Sequence, residues 1–211
     1  MNWRLVSRLV FRIDELLAYY YCHEFYRLRN EVNASEEDKV LNREDLVAYM
    51  DMLHNVCNKN LWDNEPYFFG GDDEDSQVLL YSKSLSVFVN CFAVRVVSGL
   101  VEPIFFLKSL PKNIKDNHLL SICVALQALR DLGVKADRAW LTTGTEHLSV
   151  EPPVENFEII QRISSWLAKG EYSVKVTGKC NFCPLKGNCE VYDNIERVKS
   201  LCVNGPSRFL F

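Results

Sequence analysis

The chain has 211 residues, of which 48% are hydrophobic and 25% charged, and its formal net charge is -4. A core of ordinary size is therefore available, and the near balance of charge excludes binding of nucleic acid by bulk positive charge, leaving room only for a local basic groove. No window is apolar enough to cross a membrane and Met1-Asn2-Trp3-Arg4 does not lead into a signal-peptide core, so a cytoplasmic protein without membrane contact is expected.

In chain order, Ile13, Leu16, Leu17, Tyr20, Tyr21 and Phe25 fall near helical spacing and predict a helix through the aromatic segment Tyr19 to Tyr26, which contains Cys22. Glu31 to Lys39 is polar and reads as a connection. Asn42 to Asp45 resembles a capping box opening a second helix through about Val56, with Leu46, Tyr49, Met50 and Leu53 on its apolar face. Phe69 to Asp75 reads as a loop. Its run Asp72-Asp73-Glu74-Asp75 is a solvated turn, because adjacent like charges repel unless a cation joins them.

The pattern then changes to strands at Val78 to Tyr81, Val87 to Val97 and Ile104 to Leu107. The second is apolar on both alternating faces, as a central strand covered on both sides would be. A helix follows from Asn117 to Leu132, stopped by Gly133. Trp140 to Thr143 and Leu148 to Val150 predict two more strands, and Val154 to Lys169 a helix closed by Gly170. The class is α/β.

Lys179 to Val191 reads K-C-N-F-C-P-L-K-G-N-C-E-V and places Cys180, Cys183 and Cys189 in a C-x2-C-x5-C array. Short cysteine spacings recur where thiolates converge on one metal centre, and in a reducing compartment they read as metal binding, not disulfides. Pro184, Lys186, Gly187 and Asn188 describe a polar knuckle. Cys57, Cys91, Cys123 and Cys202 stand singly among apolar neighbours and read as small core hydrophobes. Three thiolates are one short of a closed site. Cys22 is the candidate fourth, although taken alone it too reads as a core residue; with it, a metal centre staples the start of the chain to its end.

These stretches together resemble the CRISPR-associated iron-sulphur exonuclease family, the fourth of the named Cas proteins, which shares a RecB-like nuclease fold with the AddB repair subunit. Tyr19-Tyr20-Tyr21-Cys22-His23-Glu24-Phe25-Tyr26-Arg27-Leu28 looks like that family's Y-x-x-C-P-R-x-x-Y-L segment, with His23-Glu24 where Pro-Arg is usual. Cys180 through Cys189 is similar to its cluster-binding C-terminus, and Leu79 to Leu85 and Asn117 to Leu129 resemble the strand and helix flanking its active site. The resemblance implies a single domain over 1–211 with a RecB-like, restriction-endonuclease-type core, a mixed central sheet flanked by helices. It has a helical part at 1–60, a sheet core at 76–170 and a cluster-binding part at 171–211. It also implies that Cys22, Cys180, Cys183 and Cys189 hold a 4Fe-4S cluster; zinc is the alternative, since four thiolates suit tetrahedral zinc as well.

That family's chemistry needs an Asp, a Glu-x-Lys on the next strand and a Gln on the following helix, the carboxylates holding a divalent cation that activates water. By resemblance these positions fall at Phe92, Phe106, Lys108 and about Ser121, so only the lysine is present. No Asp or Glu occurs from Ser76 to Val101, and Glu102 precedes the strand that should present it. Phenylalanine cannot coordinate a hard cation. A site without catalytic magnesium or manganese is therefore expected, with Phe92, Phe105 and Phe106 filling the cleft and adding buried apolar area. Lys108 either packs its stem on these rings with its ammonium in solvent or, with Lys112 and Lys115, contacts phosphate. His54 and His118 invite a catalytic role, since the resembled family often places a histidine near its acids, but neither is anchored by a matching motif and both read as exposed or satisfied helix histidines.

The resemblance thus implies an inactive exonuclease-family protein serving as a DNA-binding or scaffold subunit in spacer acquisition, or in a related viral setting. Its partners would be CRISPR integrase proteins, other defence-complex subunits and single-stranded DNA. One alternative is an active single-stranded DNA exonuclease with a rearranged site drawing on Glu102 or on Asp72 to Asp75. The other is a metal-stabilised interaction module. The last residues, Pro206 to Phe211, carry three large apolar side chains expected to dock on the domain.

Overall fold

The computed structural model describes residues 10–23, 26–27, 43–71, 77–170, 180, 182–184, 186–189 and 192–193. The chain divides into two compact units, Met1–Leu17 with Lys39–Gly170, and Ala18–Asp38 with Glu171–Phe211.

The first unit is mixed α/β. Its strands are β1 (Phe11–Arg12), β2 (Tyr67–Gly70), β3 (Val78–Ser82), β4 (Val87–Cys91), β5 (Ala93–Val97), β6 (Leu100–Phe106), β7 (Ala139–Thr142) and β8 (His147–Val150). Its helices are the start of α1 (Ile13–Tyr21), then α2 (Arg43–Asn60), α3 (Asp116–Asp131) and α4 (Val154–Lys169). A three-stranded sheet runs β1-β4-β3 and a five-stranded sheet β2-β5-β6-β7-β8. Both are mixed, because β1 lies parallel to β4 and β6 parallel to β7 while the remaining pairs are antiparallel.

The expected strand Val87 to Val97 is two strands hinged at Phe92. Inward-facing residues alternate as 87, 89 and 91 in β4 but as 94 and 96 in β5. A shift of one residue in a period-2 pattern turns the strand over, so β4 pairs with β3 while β5 passes into the second sheet between β2 and β6. The run hides this because both of its alternations are apolar. At the hinge, the Phe92 N–H donates to the Ile104 carbonyl at 2.8 Å, which fastens the bend to β6.

β2 was not expected, and its last two residues, Phe69 and Gly70, lie inside the stretch read as a loop. Gly70 and Gly71, with φ of +83° and +82°, then turn the chain off the sheet edge and close against Phe92. A Cβ at Gly71 would meet the Phe92 ring at 3.0 Å, so a side chain there must displace the hinge.

α3 is buried nearly all round, with Leu120, Ile122, Cys123, Val124, Ala125, Leu126, Ala128 and Leu129 inside. It packs on β3, β4 and β6 and against α4. Each such leucine or isoleucine contributes about 1.5–3 kcal/mol of burial, making this helix the centre of the core. At its end, Asp131 accepts hydrogen bonds from the Ser82 hydroxyl (2.8 Å), the Ser84 N–H (3.0 Å) and the Gln127 amide (2.8 Å). These bonds clamp the turn joining β3 to β4, in which Ser86 is held at φ 55°. Asp131→Ala is expected to lose about 1–3 kcal/mol, measured as a fall in Tm of several degrees at roughly 2–4 °C per kcal/mol.

In the second unit, the end of α1 carries Tyr19, whose ring stacks on His23 at 3.8 Å and meets the edge of Tyr26 at 5.7 Å. Its C-terminal part contributes a short 3-10 turn, Lys186–Asn188. Among the described residues, no helix is long and apolar enough to cross a membrane.

Candidate functional site

Two places hold the residues singled out by sequence. The first, in the second unit, is the cysteine knuckle. The Cys183 N–H donates to the Cys180 carbonyl (3.3 Å), the Lys186 N–H to that of Cys183 (3.2 Å) and the Cys189 N–H to that of Lys186 (3.2 Å). Successive turns thus share corners, and a turn brings its first and fourth Cα atoms within about 7 Å. The C-x2-C-x5-C spacing places all three cysteines at such corners, with Lys186 at the remaining one.

Cys22 follows α1 directly. Its N–H donates to the Ala18 carbonyl and its own carbonyl accepts from the Tyr26 N–H, both at 3.0 Å, so it stays on helical backbone. Burial and then the negative charge that Cys183, Cys180 and Cys22 carry as thiolates raise the Tyr21 hydroxyl above its ordinary value of 10.0. Three of the four expected ligands therefore lie within electrostatic reach of one phenol oxygen. Cys22, Cys180, Cys183 and Cys189 are free and half-buried.

Among the described residues, no three His, Cys, Asp or Glu side chains are gathered closely enough to hold one metal ion. The donor set itself is all soft sulfur, which suits an iron-sulphur cluster or zinc. The remaining described cysteines differ sharply. Burial pushes the Cys57 thiol up to about 11 and those of Cys91 and Cys123 to about 12, so they stay protonated in the core. Cys202 lies outside the described residues.

The second place is an open cleft of about 700 Å³ in the first unit, whose walls include Asn90, Phe92, Phe105, Phe106 and Lys108. The hinge brings Phe92 beside Phe106 with ring centroids 5.6 Å apart, so the two positions that resemblance assigns to acids do converge, with Lys108 at the same cleft. No carboxylate is among its described lining residues. The rings line this space and do not fill it, contrary to expectation. Phe92 and Phe105 are half-buried and Phe106 is 52% exposed, because β6 ends there and nothing described covers its outer face. Lys108, Lys112 and Lys115 are exposed.

An adjoining cavity of about 360 Å³ shares Asn90, Phe105 and Phe106 and adds Arg12, Asp14, His118 and Ser121. Ser121 therefore does stand near the cleft, with its hydroxyl donating back to the Asn117 carbonyl at 2.9 Å. Asp14 and Asn90 have no sequence signal linking them to this place, and His118 has no matching motif; the first turn of α1, the end of β4 and the start of α3 bring them there. His54 lies elsewhere, on α2, with its Nε2 2.7 Å from the Asn58 amide nitrogen.

Glu102 does not serve Lys108. It lies inside β6, not before it, and is 1% exposed. Its carboxylate accepts from Arg95 at 2.8 Å, from Arg138, and from the Trp140 indole N–H at 2.9 Å. Burial alone would raise this carboxyl, but hydrogen bonds from Arg138 and Trp140 and the charges of Arg138 and Arg95 outweigh it and hold it below its ordinary value. Four residues of β6, at about 3.3 Å each, already separate it from Phe106 at the cleft by roughly 13 Å. Asp72 to Asp75, the connection at 31–39, Asn42, Phe25 and the terminal Pro206 to Phe211 lie outside the described residues.

No protein family and no curated protein matches the sequence. Among solved structures, the crystal structure of SSO0001 is similar at a TM-score of 0.39 and 13% identity, over 86% of this chain and 85% of that one. A likeness this distant carries no argument about fold or function.

Proposed function

We propose that the chain is a catalytically silent relative of the RecB-like, CRISPR-associated iron-sulphur exonucleases, acting as a DNA-binding or scaffold subunit. Its partners are integrase proteins or other subunits of a defence complex, in a cell or a virus. The observation that carries this reading is the open cleft where Phe92, Phe106 and Lys108 meet. Two-carboxylate nucleases hold a hard cation at such a place, and phenyl rings offer it no oxygen. Cys22, Cys180, Cys183 and Cys189 would hold a 4Fe-4S cluster, or zinc in its place, with a structural role.

Binding without cleavage suits what surrounds the cleft. Phe68 and Phe106 are 55% and 52% exposed, and with Trp140 they line the neighbouring hollow on the five-stranded sheet. Exposed rings of this kind can stack unpaired bases, while nearby lysines meet phosphates. Fluorescence anisotropy with end-labelled single-stranded DNA should show binding at low salt that weakens steeply as salt rises. The triple variant Lys108→Ala, Lys112→Ala, Lys115→Ala should bind more weakly and lose about 2 from the slope of log affinity against log salt. Unchanged affinity and slope would remove these lysines from the interface. No binding at low salt would leave the exposed aromatic face to a metal-stabilised interaction module.

A further inference from the structure

The smaller cavity beside the Lys108 cleft has a character of its own. At about 360 Å³ it lies near the lower end of small-molecule sites, too small for an oligonucleotide. Its walls are apolar and aromatic, chiefly Phe88, Phe105 and Phe106, while Arg12, Asp14, Asn90 and His118 supply polar groups.

The balance of charge narrows what it can take. Arg12 and Asp14 are ion-paired at 3.3 Å and neutralise one another. Burial, and then the charge of Lys115, hold the His118 imidazole below 6.5, so it is neutral at pH 7. A divalent cation is disfavoured, because the single carboxylate among the described lining residues already faces a guanidinium. A bare phosphate is disfavoured for the converse reason. What remains is a neutral, flat molecule that stacks on phenyl rings and both donates and accepts hydrogen bonds at its edge. Among the described residues the Asn90 amide has no hydrogen-bond partner, and an asparagine amide is the side chain whose donor and acceptor match the edge of adenine.

We propose that this cavity is a nucleobase pocket that takes one base with its sugar, adenine preferred, from the end of a strand lying along the Lys108 cleft. The strand rests on the DNA-binding reading above; the base pocket does not. Because Asn90, Phe105 and Phe106 line both spaces, a base entering the pocket would leave its phosphate on the lysine side.

The test is saturation-transfer NMR on the full chain with deoxyadenosine and deoxycytidine, beside anisotropy with single-stranded DNA. Deoxyadenosine should bind more tightly than deoxycytidine. Asn90→Ala, an exposed strand residue, should weaken deoxyadenosine at least ~5-fold. Ser121→Leu, which fills the cavity, should abolish the signal, and Lys108→Ala should leave it unchanged. Thermal unfolding confirms that each variant is folded; if Ser121→Leu is not, Asn90→Ala decides alone. No nucleoside signal with the native chain, or equal binding by Asn90→Ala, overturns the pocket. DNA binding that depends on Lys108 without nucleoside binding would sink the pocket and spare the DNA-binding reading, whereas nucleoside binding without DNA binding would do the reverse.

Discussion

Cys183→Ser, purified anaerobically, is expected on the proposed metal centre to hold far less iron or zinc than the native chain and, with it, to lose the protease resistance of the segment beyond Gly170. Cys180, Cys183 and Cys189 occupy the corners of consecutive turns, and Cys22 directly follows α1 far back in the sequence. Closing an unstructured loop of roughly 160 residues costs roughly 4–5 kcal/mol. Structural thiolate sites supply apparent binding energies of about 10 kcal/mol or more, enough to hold that closure. Cys22→Ser should behave likewise. Cys57→Ser is the control: its thiol is buried and protonated, so this variant should lose stability but keep its metal. Iron and sulfide against zinc in the native protein, read by elemental analysis and visible absorption, identifies the occupant. Full metal and unchanged proteolysis in Cys22→Ser would remove Cys22 from the ligand set.

Glu102→Ala should destabilise the five-stranded sheet by about 3 kcal/mol. Breaking a buried ion pair commonly costs about 3–5 kcal/mol, and the lower end applies because Arg95 and Arg138 retain 26% and 39% side-chain exposure and can rehydrate. Its pH dependence has a definite sign. The folded carboxyl is held below its ordinary value of 4.5, so the stabilisation is complete above that pH and is lost as pH falls through the depressed value. Urea unfolding of native and Glu102→Gln proteins should therefore differ most at neutral pH and converge in acid. A gap independent of pH would mean that packing, not charge, is what Glu102 supplies.

The helices and the later strands were legible because each carries its own punctuation. Gly170 adopts the left-handed cap that ends α4, and Gly133 follows α3 with φ +79°. The hinge at Phe92 was not legible, since a one-residue change of face inside an all-apolar run leaves no trace in composition. Glu102 was misplaced for a related reason. Its partners come from β5, from the start of β7 and from the residue just before it, and only the sheet register brings Arg95 opposite it and Trp140 within reach. At the candidate sites, cysteine spacing announced the knuckle because short thiolate spacings have few other uses. Asp14, Asn90 and His118 carried no such sign, because three distant segments meet at their cavity and none has a motif.

The proposed catalytic silence of the Lys108 cleft is open to a direct test. End-labelled single-stranded DNA should be incubated with manganese and anaerobically purified protein, comparing the native chain with Lys108→Ala. The expected result is no cleavage by either protein, alongside DNA binding that weakens when the lysines are removed. Manganese-dependent cleavage by the native chain that disappears in Lys108→Ala would contradict it, because carboxylates from elsewhere in the chain would then be completing an active site.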